Sequence, residues 1–188
     1  HYLNKANIKT GEKILINGAG GSIGTHAIQI AKAMGAEVTA VDSDIKEARL
    51  RALGADHFID YRCKDFTDDK QHYDVIFSMV AGMSYSACLG ALKSGWRYLL
   101  ANPRIADMLR LLVTNKFSDK VVSFAFAGET QEELASLKSM IEEGKIVSIV
   151  DQVFDMQAIS QAHERVETEQ RLGAIVVKVG EAPSRLAP

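Results

Sequence analysis

Strands that alternate with helices along most of the sequence predict an α/β fold: a doubly wound parallel sheet with helices on both faces. Short apolar runs of strand length recur, beginning with Lys13-Ile14-Leu15-Ile16-Asn17. Segments with apolar residues at helical spacing follow them, the first carrying Ala27, Ile28, Ala31 and Met34 on one face. Between that strand and that helix lies a glycine turn, Gly18-Ala19-Gly20-Gly21-Ser22-Ile23-Gly24.

Taken in order, the pattern gives strands near 13–17, 37–41, 57–60, 73–78, 96–101, 121–125, 151–154 and 173–178. Helices are expected near 22–34, 44–53, 84–92, 104–115, 130–143 and 156–168. Residues 1–7 read as the end of a helix. Thr130 with Glu133 has capping-box form, and Asp155 is placed to cap the last helix. Segment 61–72 is polar and reads as a surface connection with one irregular turn. A single domain is expected over 1–180, with a mobile tail over 181–188, which carries two prolines and little apolar content.

The chain has 188 residues, enough for a substantial core, and 47% are hydrophobic. A net charge of -2 and a pI near 6.2 give no electrostatic footprint for nucleic acid. No apolar stretch is long enough to span a membrane, and no signal peptide opens the chain, so a cytoplasmic location is the expectation. Cys63 and Cys88 form no disulfide framework, and Cys88 reads as a small buried hydrophobe in a helix. His26, His57, His72 and His163 are scattered and pair with neither cysteine at ligand spacing, so no metal is expected. His163 reads as a structural residue beside Ile159, Ala162 and Val166.

The glycine turn carries the chemistry. A tight strand-to-helix turn needs backbone angles that Gly18 can adopt. Gly21 has no side chain, so a pyrophosphate could approach the main chain, and Gly24 would let the helix pack closely. The unpaired amides of the helix start, with the positive end of its dipole, would face the phosphates. Asp42, closing the strand Glu37-Val38-Thr39-Ala40-Val41, can accept hydrogen bonds from an adenosine ribose. Strand, glycine turn, helix, strand and acid in that order form the layout of a dinucleotide site. Ligands in such folds bind beyond the carboxyl ends of the strands. That rule nominates Val80 and Ala81 after one strand, Asn102 after the next, and Phe124 and Ala125 after a third, along a nicotinamide half.

The stretch Lys9-Thr10-Gly11-Glu12-Lys13 through Gly24 resembles the medium-chain dehydrogenase/reductase superfamily. So do Ala27-Ile28-Gln29-Ile30-Ala31-Lys32, Leu53-Gly54-Ala55-Asp56, Tyr73-Asp74-Val75-Ile76-Phe77 and Gly173-Ala174-Ile175-Val176-Val177. The likeness is to its quinone-oxidoreductase-like, zinc-independent branch. It implies a Rossmann-type nucleotide-binding domain whose catalytic partner domain is absent from this chain. It also implies hydride transfer between a nicotinamide and a carbonyl, enone or quinone. The edge strand near 121–125 is apolar at Val121, Val122 and Phe124, which predicts a homodimer through that edge in the complete enzyme, consistent with the resemblance. By resemblance the cofactor residues are Gly18, Ala19, Gly20, Gly21, Ser22, Ile23, Gly24, Asp42, Ser43, Lys46 and Tyr61, and no catalytic residue is assigned. Ser78, Trp96 and Arg171-Leu172 depart from the pattern.

The cofactor is expected to be NAD or NADP. Asp42 favours NAD, because a charge pair at about 4 Å is worth roughly 1 to 4 kcal/mol against a 2′-phosphate. Lys46 and Tyr61 would offset it, unless Lys46 is simply a solvated helix-face lysine. A stand-alone nucleotide-sensing module and an S-adenosylmethionine-dependent methyltransferase are the alternative readings.

Overall fold

The computed structural model describes residues 2–124 and 130–180. Strands β1 (Lys13–Asn17), β2 (Glu37–Asp42), β3 (His57–Asp60), β4 (Tyr73–Ser78), β5 (Leu92–Leu100) and β6 (Val121–Phe124) form one parallel sheet. Their order is β3-β2-β1-β4-β5-β6. The order reverses beside β1, which opens a crevice between the carboxyl ends of β1 and β4.

The central strands are apolar on both faces because both are covered. Ile14 and Ile16 point into a core with α1 (Tyr2–Ala6), α2 (Ser22–Ala33) and α3 (Glu47–Ala52). Leu15, Ile76 and Tyr98 point the other way, against α4 (Tyr85–Ala91) and Leu111 of α5 (Ile105–Phe117). That alternation is the strand period of two. Cys88 is fully buried in α4, as expected, and burial pushes its thiol pKa up.

Several expectations change. The strands near 151–154 and 173–178 exist as β7 (Val150–Asp155) and β8 (Ala174–Lys178), but they form a separate two-stranded sheet. The predicted helices at 44–53 and 156–168 each begin with a 3₁₀ turn, before α3 and α7 (Ile159–Glu167). Segment 61–72 is more than a surface connection: its 3₁₀ turn Phe66–Asp68 drives Phe66 into the second core. Thr130 does cap α6 (Gln131–Glu142), its hydroxyl accepting the Glu133 amide. Asp155 occupies an N-cap position without a side-chain cap bond. His163 is exposed on α7, which buries only Ala162. In β6, Val121 faces out while Val122 is buried, since alternate residues take opposite faces. Residues 181–188 and Ala125 lie outside the described residues.

Candidate functional site

The glycine turn takes the shape its residues suggest. Gly18 has φ +85°, a left-handed angle that side chains rarely adopt. Its amide and that of Ala19 donate to the carbonyl of Val41, at 3.1 and 3.2 Å, which pins the turn to β2. A Cβ on Gly24 would sit 2.5 Å from the carbonyl oxygens of Gly18 and Ala19, so α2 approaches the turn as only glycine allows. A Cβ on Gly21 would meet only ordinary contact, 3.6 Å from the Gly18 oxygen. The protein itself does not need glycine there; a ligand against the main chain would.

Gly21 is the N-cap of α2 and offers no side-chain cap. The amides of Ser22, Ile23 and Gly24 therefore open the helix without an acceptor inside it. That is the donor set a diphosphate requires.

Asp42 closes β2 beside this turn, and its side chain is 9% exposed. One carboxylate oxygen accepts the Gly20 amide at 2.7 Å. The other accepts the Ser43 amide at 2.9 Å and the Lys46 ammonium at 2.7 Å. Lys46 also donates to the Glu169 carbonyl at 2.8 Å. Its stem lies over Gly20, where a Cβ would collide with it. Lys46 is thus a buried ion-pair partner and not a solvated helix-face lysine.

The turn borders a cleft of about 790 Å³ at the switch point, within the usual range for small-molecule sites. Gly18, Gly21, Asp42, Lys46, Tyr61, Val80, Ala81 and Asn102 line it. Asn102 ties two loops together by donating to the Met79 carbonyl at 2.8 Å. Other predicted residues stand apart. Ala19 is fully buried, Gly20 is spent on Asp42 and Gly173, and Ser43 lies behind Asp42. Ser22 and Ile23 bring backbone amides, with the Ile23 side chain exposed. Phe124, beside Leu100 at the end of β6, is not part of the cleft lining among the described residues.

The lining residues that sequence reasoning did not nominate include Asn17, Phe66, Glu169 and Arg171. Asn17 directly precedes the turn, and a strand's last residue facing the crevice was a readable signal. Glu169 and Arg171 arrive from the far end of the chain. Gly173 donates to the Gly20 carbonyl at 2.8 Å, bridging the segment onto the turn. Arg171 Nη1 is anchored on the Gly173 carbonyl at 2.6 Å. No local pattern announces such a strap.

A family model described as zinc-binding dehydrogenase matches residues 53–177. The chain belongs to the zinc-binding dehydrogenase family. A second model, alanine dehydrogenase/PNT C-terminal domain, matches residues 5–85. A mitochondrial NAD(P)H oxidoreductase of Bos taurus is 31% identical over 94% of this chain and 50% of its own length. An acryloyl-coenzyme A reductase of Metallosphaera sedula is 27% identical over 93% and 53%. The quinone oxidoreductase structure from Coxiella burnetii superposes with a TM-score of 0.85 at 28% identity, covering 95% of this chain and 56% of that one. The chain spans about half the length of the curated relatives it matches. It is a medium-chain dehydrogenase/reductase nucleotide-binding domain. Zinc is in the family's description, yet among the described residues of this dehydrogenase domain no three His, Cys, Asp or Glu side chains group as a metal site.

Proposed function

We propose that this domain holds NAD or NADP for an oxidoreductase that moves hydride between the nicotinamide and a carbonyl, enone or quinone. The observation that carries the reading is the uncapped start of α2 beside Asp42, both facing one cleft at the switch point. When bound, the nicotinamide would donate or accept the hydride. The chain's own residues bind and orient: the α2 amides take the diphosphate, Asp42 the adenosine ribose, and the Val80–Ala81 loop borders the other half. A catalytic domain elsewhere in the complete protein supplies the substrate pocket, which fits a chain half the length of its relatives. The zinc-independent branch is part of the proposal and rests on the sequence resemblance, as does a cytoplasmic location. No described helix is long and apolar enough to cross a membrane.

The ion pair changes the cofactor argument. Asp42 alone would repel a 2′-phosphate, but Lys46 at 2.7 Å cancels its charge. NADH and NADPH are expected to bind within about tenfold of each other. Titration calorimetry of the chain against NADH, NADPH and S-adenosylmethionine tests this. Heat with only the last, or with none, overturns the oxidoreductase reading.

A homodimer through β6 belongs to the same proposal. β6 is an edge of the sheet, and exposed edges tend to pair. Beside it α5 exposes Ile105, Leu109, Leu112, Val113 and Phe117 on one face.

A further inference from the structure

Asn17 is the last residue of β1, directly before the glycine turn. Its side chain is buried, with 5% of the residue exposed, and the residue lines the cleft. Its Nδ2 donates to Ser78 Oγ at 3.2 Å, across the β1–β4 boundary where the two residues stand in register. Among the described residues no group donates to its Oδ1. Buried polar atoms are nearly always partnered, so this one needs an explanation. The bond to Ser78 accounts for the amide nitrogen as a tie between strands. It leaves the oxygen unexplained.

The topology says what passes that oxygen. Asp42 ends β2 on one side of β1, and Met79, Val80 and Ala81 follow β4 on the other. A dinucleotide with its diphosphate at the start of α2 and one ribose at Asp42 must run across the β1–β4 boundary. The first group beyond the diphosphate is its second ribose. We propose that Asn17 is a cofactor-binding residue whose Oδ1 accepts a hydrogen bond from a hydroxyl of the ribose that carries the nicotinamide. This rests on the dinucleotide reading of the cleft.

Calorimetry of the chain with ADP, ADP-ribose and NADH separates the two. ADP lacks the second ribose, and ADP-ribose has it without the nicotinamide. Asn17→Ala should leave ADP affinity within about twofold and weaken ADP-ribose and NADH about tenfold, the loss of one hydrogen bond. Asn17→Thr, which keeps an acceptor, should restore part of that loss. Equal weakening of all three ligands makes Asn17 a structural tie and overturns the proposal, as does no weakening at all. If the unsubstituted chain binds none of them, the dinucleotide reading itself falls. Should Asn17→Ala not fold, ¹⁵N spectra of the unsubstituted chain decide. The Asn17 side-chain amide should shift with ADP-ribose and not with ADP; the same shift with both, or none with ADP-ribose, overturns the proposal.

Discussion

Asp42 shows how one side chain can be read correctly for position and incompletely for state. Its place at the end of β2 follows from sequence, but its carboxylate is shared among the Gly20 amide, the Ser43 amide and Lys46. Lys46 looked like a solvated helix residue only because its partners, Asp42 and the Glu169 carbonyl, are not visible in a helical pattern. Gly24 is the opposite case, legible at once and explained by contact. Alanine there would gain about 1 kcal/mol of helix propensity. The added carbon would meet two backbone carbonyl oxygens at 2.5 Å, and backbone cannot swing away as a side chain can. Overpacking of this kind costs about 1–3 kcal/mol, so the clash wins. Gly24→Ala should lower the melting temperature by roughly 2 to 4 °C in a thermal scan, as a net loss of about 1 kcal/mol does at this size.

At the level of elements, the strap formed by β7, α7 and β8 is held by Asp151. Its carboxylate accepts from Arg165 Nε at 2.9 Å and from the Leu172 amide at 3.0 Å. Burial pushes its pKa up, but the Arg165 bond, the Leu172 amide and the charges of Arg165 and Arg171 together hold it below the usual carboxylate value. A depressed carboxylate stabilises above its unfolded pKa, about 3.9, and the contribution is lost as pH falls through the folded value. Amide protection over 150–178, corrected for the intrinsic exchange rate at each pH, should therefore fall below about pH 4. Asp151→Asn should show faster exchange already at neutral pH, with a stability loss of about 2 kcal/mol. Exchange in the variant that matches the unsubstituted chain would remove Asp151 from this role. The strap's two strands were expected from their apolar runs. Their pairing outside the main sheet was not, because a run of apolar residues names a strand and not its neighbour.

For the whole molecule, the proposed dimer follows from what the fold leaves uncovered. Val121, 52% exposed, and the apolar face of α5 border the same edge of the sheet among the described residues. Val122, which the sequence treats alike, is 1% exposed and packs in the second core, so a charge there would unfold the domain. Val121→Lys with Leu112→Glu is expected to turn a dimer into a monomer in sedimentation while leaving the far-ultraviolet circular dichroism of the folded domain unchanged. A dimer that survives both substitutions argues against this edge.

Strand and helix periods, one glycine turn and one acid predict the doubly wound sheet and nominate the end of it where a nucleotide is proposed to lie. These are local signals: each is written within about twenty residues, the reach of one strand-turn-helix-strand unit. Only the tertiary structure decided that Lys46 neutralises Asp42, that Gly20 is consumed within the protein, that Phe66 plugs a core, and that Glu169 and Arg171 close over the turn. Some of those facts depend on groups more than a hundred residues apart, as Glu169 on Lys46 and Gly173 on Gly20; the others depend on where a nearby side chain turns. Packing and burial settle such choices, and neither is a property of a short window of sequence.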